Sequence, residues 1–193
     1  MFPKFAFFGH DSASFRKVEI TRSSNIRLSR MSREDFRASL EKSKSYSDLF
    51  VIVKKAVKKV LGRNRSGLLL YLSNLPLGVG AFHSVGTNGI VLNRKVLEVA
   101  SRSAKTDAEM NSFIFSLLLH EYLHSLGYLD EGEVRRLVYN ISMEVFGKDH
   151  PTVTMSLGSP LTKVLPQDMH DEDQNSGLEL VRDFEKPDQP YIA

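Results

Sequence analysis

Hydrophobic and polar positions alternate along this chain with periods that predict helices separated by short strands. Ser32-Arg33-Glu34-Asp35 has the form of a helix start, with Ser32 as cap and carboxylates in the first turn. The spacing then predicts a helix from about Arg33 to Leu61, broken near Ser43-Lys44-Ser45. In its second half Leu49, Val53, Val57 and Val60 share one side, and Lys54, Lys55, Lys58 and Lys59 the other. Leu68 to Leu72 is too uniform to assign by period and fits a buried strand or a helix end. Past a turn at Pro76 and Gly78, the pattern predicts strands at about 79–84 and 89–93, joined at Gly86-Thr87-Asn88-Gly89. Arg94 opens a helix that reaches at least Ala100.

The most apolar helix runs from a cap at Thr106 or Asp107 to about Leu126, and Gly127 marks its stop. Phe113, Ile114, Leu117, Leu118, Tyr122 and Leu126 give it an apolar surface. Asp130-Glu131-Gly132-Glu133 is a second start signal. The helix it opens carries Val134, Leu137, Val138, Ile141 and Val145 on one side and ends at Gly147. Phe15 to Ile20 fits a short strand, and the stretch from His150 onward fits an extended, partly disordered tail. The expectation is an α+β fold: a small antiparallel or mixed sheet with a glycine-containing edge strand, packed on the apolar helix and the helix after it.

Composition narrows this picture. A chain of 193 residues suits one domain with a real core. The absence of cysteine excludes disulfides and thiolate metal ligands, and permits a reducing compartment. The opening Met1 to Asp11 is apolar but too short and interrupted for a signal peptide, and no apolar run approaches a bilayer span. A cytoplasmic protein is expected. The net charge of +3 conceals an asymmetry. From Pro151 on there are three Lys/Arg against eight Asp/Glu, a balance of −5, which leaves +8 on residues 1–150. The chain therefore divides into a body, 1–150, and an acidic tail, 151–193, and their charges invite contact between them.

Candidate chemistry sits at the end of the apolar helix, where His120-Glu121-Tyr122-Leu123-His124 reads H-E-x-x-H. Histidines four apart share a helix face, so both rings can reach one metal ion. Zinc is the default ion for such a donor set, and Glu121 can take a proton from a metal-bound water. A catalytic zinc needs a third protein ligand. Glu144, twenty residues after His124, reaches the metal if its helix folds back on the motif. Asp130, six residues after His124, requires a sharp turn at Gly127, and it also fits a helix cap. Glu131 and Glu133 are the remaining choices.

His120-Glu121-x-x-His124 followed by Glu144 resembles the gluzincin group of zinc metallopeptidases. The small size, the Gly80-Ala81-Phe82 strand before the motif and the immediate second helix resemble the minigluzincins, over residues 79–147. The resemblance implies one zinc on His120, His124 and Glu144, with Glu121 as general base. It also implies an edge strand, here Gly80, Ala81, Phe82 and His83, that aligns the backbone of a peptide substrate. It further implies a latent form in which a C-terminal segment blocks the cleft, a part open to the acidic tail. His150, Tyr139, Tyr128 and His83 are unranked for stabilising the transition state. A second likeness competes: His120-x-x-x-His124-x-x-Gly127-Tyr128 is similar to the motif of a bacterial ribosomal-RNA maturation metalloendonuclease, which has histidine at the position of Asp130 and no glutamate after the first histidine. The expected function is a zinc-dependent endopeptidase. The alternative is a metal-dependent ribonuclease or nucleic-acid-binding protein with a basic body and Asp130 as third ligand.

Overall fold

The computed structural model describes residues 31–157 and 177–185. The expected strand at Phe15 to Ile20 lies outside them. The break near residue 44 is real. Helix α1 (Arg33–Lys42) and helix α2 (Tyr46–Leu61) are separate, and each opens with a capping box. Ser32 Oγ accepts from the Asp35 N–H at 3.1 Å, while Asp35 returns the bond to the Ser32 N–H at 2.8 Å; Ser45 and Asp48 repeat the arrangement. Gly62, at φ +68°, ends α2 in a conformation that favours glycine.

Strand β1 (Leu69–Ser73) pairs parallel with β3 (Gly89–Asn93), and β2 (Ala81–His83) pairs antiparallel with β3. The leucine run is therefore a strand. Leu68 and Leu70 are fully buried and Leu72 packs on the same core, while Leu69 faces outward, an alternation that only extended backbone gives. Strand β4 (Glu179–Leu180) pairs antiparallel with β1, giving the order β2-β3-β1-β4. The fold is α+β, with the β2 strand at one edge of a small mixed sheet.

Asn93, at the end of β3, fixes the segment leading into β2. Its buried amide donates to the carbonyls of Leu75, Pro76 and Val79 at 3.0, 3.0 and 2.7 Å. It also caps helix α3 (Arg94–Ser103). The sheet lies beside helix α4 (Asp107–Ser125), which contacts α1, α2, α3, β2 and β3. Sequence spacing gave α4 one apolar surface; in the fold it is buried all round, as expected for the central helix of a core. Helix α5 (Glu131–Phe146) follows after a five-residue turn, capped by Asp130, and buries Val134, Val138, Ile141 and Val145.

The start of the tail departs from expectation. Pro151–Ser156 forms a short helix, α6, with His150 as cap and proline at its first position, where a missing N–H costs nothing. Further on, Phe184 is buried and stacks on Phe50 with ring centroids 4.4 Å apart. Glu185 pairs with Lys54 and accepts the Leu68 N–H at 2.8 Å, and Glu179 pairs with Arg94. This acidic segment docks on the basic body at the β1 side of the sheet, the edge away from β2.

Candidate metal centre

Three donors converge where α4 ends and α5 begins. His120 Nε2 and His124 Nε2 are 3.1 Å apart, one helical turn separating the residues. Glu131 Oε2 lies 3.3 Å from His120 Nε2, and Glu131 Oε1 lies 3.1 Å from His124 Nε2. These spacings test whether zinc would fit. A tetrahedron with metal–ligand bonds of about 2 Å has edges of about 3.3 Å. Two imidazoles and a carboxylate at such separations form a donor set of the right size and chemistry for zinc.

The turn after α4 builds this arrangement. Gly127 sits at φ +95°, and the helix closes with two bonds, from the Gly127 N–H to the His124 carbonyl at 3.0 Å and from the Tyr128 N–H to the Leu123 carbonyl at 3.3 Å. That closure carries the Tyr128 carbonyl under the His124 ring. His124 Nδ1 donates to it at 2.8 Å, which leaves Nε2 bare and aimed at the other donors. Burial holds the His120 pKa below the ordinary histidine range, and Arg135 and His124 act in the same direction against the opposing charge of Glu131. A neutral ring is what metal ligation requires.

Glu121 points from the same helix into a cleft of about 540 Å³. Only 5% of its surface is exposed. Burial, then the nearby Glu131 carboxylate, pushes its pKa up to about 8, while a hydrogen bond from the His83 backbone N–H pulls the other way. That bond follows from register. Asn93 N–H donates to the Gly80 carbonyl at 2.9 Å, so in the antiparallel pairing Ala81 and His83 direct their backbone groups away from β3. Gly80, Ala81, Phe82 and His83 all line the cleft. The His83 ring is tied into its own hairpin, Nδ1 lying 2.8 Å from the Gly89 carbonyl.

The structure brings His120, Glu121, His124 and the Gly80–His83 strand together, but not Glu144. Glu144 is thirteen residues beyond Glu131 on α5, about 20 Å along the helix axis. Its exposed carboxylate lies 3.9 Å from Arg33 instead. The helix after the motif starts at the metal donors, so its first residue reaches them and a residue in its last turn does not. Asp130 is also elsewhere: Oδ1 caps α5 by accepting the Glu133 N–H at 2.7 Å. His150 stacks on Phe146, outside the cleft lining. Glu131 has one legible signal, its place just after a cap that follows the glycine stop. The Tyr128 carbonyl is a backbone group with no side-chain signature. No protein-family profile, curated protein or solved structure matches this chain.

Proposed function

We propose that this protein is a zinc-dependent endopeptidase. The observation that carries the reading is the convergence of His120 Nε2, His124 Nε2 and the Glu131 carboxylate beside a buried glutamate in an open cleft. Zinc held by His120, His124 and Glu131 would polarise a carbonyl and bring the pKa of a water toward about 7. Glu121 takes the proton of the attacking water and delivers it to the leaving amine. A carboxylate held beside the metal donors suits that two-way transfer. The outward N–H and carbonyl of Ala81, with the carbonyl of His83, whose N–H is taken by Glu121, offer an extended peptide the hydrogen bonds of an added strand. The ring-to-carbonyl bond at Tyr128 holds His124 in one tautomer through the cycle.

The basic body does not favour the nucleic-acid alternative. Lys54 is committed to Glu185, Lys59 donates to the Met31 carbonyl at 2.7 Å, and Arg65 is bound to backbone carbonyls. The cytoplasm is the compartment proposed, on the cysteine-free composition.

Two measurements on one variant test the function. Glu121→Gln should keep one zinc per chain by elemental analysis while cleavage of a quenched fluorescent peptide library is lost. A wild-type protein that binds no zinc after dialysis against it would overturn the reading. So would unchanged cleavage by the variant.

A further inference from the structure

One face of α5 looks into the cleft through Glu131, Arg135 and Val138, spaced at i, i+4 and i+7. Glu131 turns both carboxylate oxygens toward the histidines. The second carboxyl group lining the cleft, Glu121, is buried and accepts the His83 N–H. Among the described residues Arg135 is the one Lys or Arg that lines the cleft, and no carboxylate lies within ion-pair distance of it. It is one helical turn, about 5.4 Å, beyond Glu131. The cleft lining also holds apolar side chains, among them Phe82, Leu129 and Met155. Arg135 is exposed at the cleft, so its guanidinium would sit one helical turn from a divalent cation with solvent as its partner. An anion entering with the substrate replaces that solvent.

We propose that Arg135 is a specificity-determining residue that binds a carboxylate of the substrate, one subsite away from the bond to be cleaved. This rests on the metallopeptidase reading above. The guanidinium is a planar fork of donors that matches a carboxylate with two parallel hydrogen bonds, which an ammonium group cannot reproduce. The preferred peptide is therefore apolar along most of the cleft and carries one carboxylate, from an acidic side chain or from its own C-terminus.

The test is a binding measurement that needs no turnover. Zinc-loaded full-length protein is titrated calorimetrically with succinic and glutaric monohydroxamates and with their monoamide counterparts. Each pair shares a metal-binding end and differs only in the charge at the other. Wild type should bind the better carboxylate probe at least about tenfold tighter than its amide. Arg135→Gln should bring the two affinities together, and Arg135→Lys should recover only part of the preference. Two peptide hydroxamates then separate the sources, one with a free C-terminus and neutral side chains, the other amidated and bearing an aspartate. Preference for either supports the assignment and names the source. Hydroxamates that bind wild type and Arg135→Gln with the same carboxylate-to-amide ratio overturn the role of Arg135 and leave the metal centre standing. Zinc-loaded protein that binds no hydroxamate overturns both.

Discussion

At the residue scale, the two glutamates of α5 make opposite predictions. Both are exposed, but Glu131 shares its oxygens between two imidazole nitrogens and Glu144 faces Arg33. Glu131→Ala should lower zinc affinity at least about a hundredfold, since on the proposed reading it removes one of three donors where even loss of a supporting partner costs 10–100-fold. Glu144→Ala should leave affinity unchanged, because a surface ion pair is worth only about 0–1 kcal/mol and lies far from the donors. Competition with a chromophoric chelator distinguishes them, and the reverse ranking would remove Glu131 from the site. His150 supplies a pH prediction. Its ring is buried, stacks on Phe146 and accepts the Thr152 N–H at Nδ1, 3.3 Å away. Burial, aided by Arg37, holds its pKa down to about 4. The unfolded chain binds this proton below the ordinary value near 6.5, and the folded chain refuses it until about pH 4. The contribution to stability is thus full above about 6.5, falls as pH drops through that window, and is flat below it, an effect of at most about 3 kcal/mol. His150→Asn keeps a capping side chain without the titration. Urea midpoints for the variant should show a shallower slope between these pH values, and an equal slope would discard the assignment.

At the element scale, the ends of the helices and the turns between them decide the site. Arg65 joins the two walls of the cleft. Its guanidinium donates to the Ser125 carbonyl at the end of α4, and to the Thr87 carbonyl and Asn88 Oδ1 in the β2–β3 turn, at 2.9 and 2.7 Å for the latter two. Its backbone N–H donates to the Tyr122 hydroxyl at 2.7 Å. The lysines of α2 and the arginines just after it suggest a solvated basic face, and nothing local to Arg65 reveals that its acceptors lie on two other elements. Lysine there offers a point charge in place of a fork. Arg65→Lys should weaken zinc binding about tenfold, by loosening the turn that holds His124, and a calorimetric affinity equal to wild type would argue against such a link. The same contrast explains what was legible. Ser32, Thr106 and Asp130 announce their helices because a cap and its first turn are neighbours in sequence. H-E-x-x-H announces itself because one helical turn holds both rings. The third donor was harder, since it depends on how the chain turns at Gly127, and several carboxylates follow that turn within a few residues. The leucine run of β1 was ambiguous because burial of alternate residues is set by the neighbouring strands and helices.

At the scale of the whole molecule, the one described segment of the acidic tail beyond α6, residues 177–185, occupies a specific docking site on the basic body. Residues 177–185 add β4 to the free side of β1, insert Phe184 against Phe50, and place Glu185 between Lys54 and the Leu68 N–H. The ion pair between Lys54 and Glu185 is largely shielded from water, so salt should screen it weakly, whereas Arg94 and Glu179 are more exposed and contribute little. Phe184, 3% exposed, belongs to the same core cluster as α2 and β1. Truncating it to alanine should cost about 3–5 kcal/mol by loss of contact and a cavity beside Phe50. Deleting the chain from Gly177 should cost more, because it also leaves Lys54 without its carboxylate and Leu68 without an acceptor for its N–H. Urea denaturation of both variants measures this directly. A segment that merely covered the cleft beside His120 and His124 would behave differently: its removal would leave stability near wild type. The docking on the β1 side predicts a large loss of stability in both variants, and unchanged midpoints would mean that the tail is not part of the folded core.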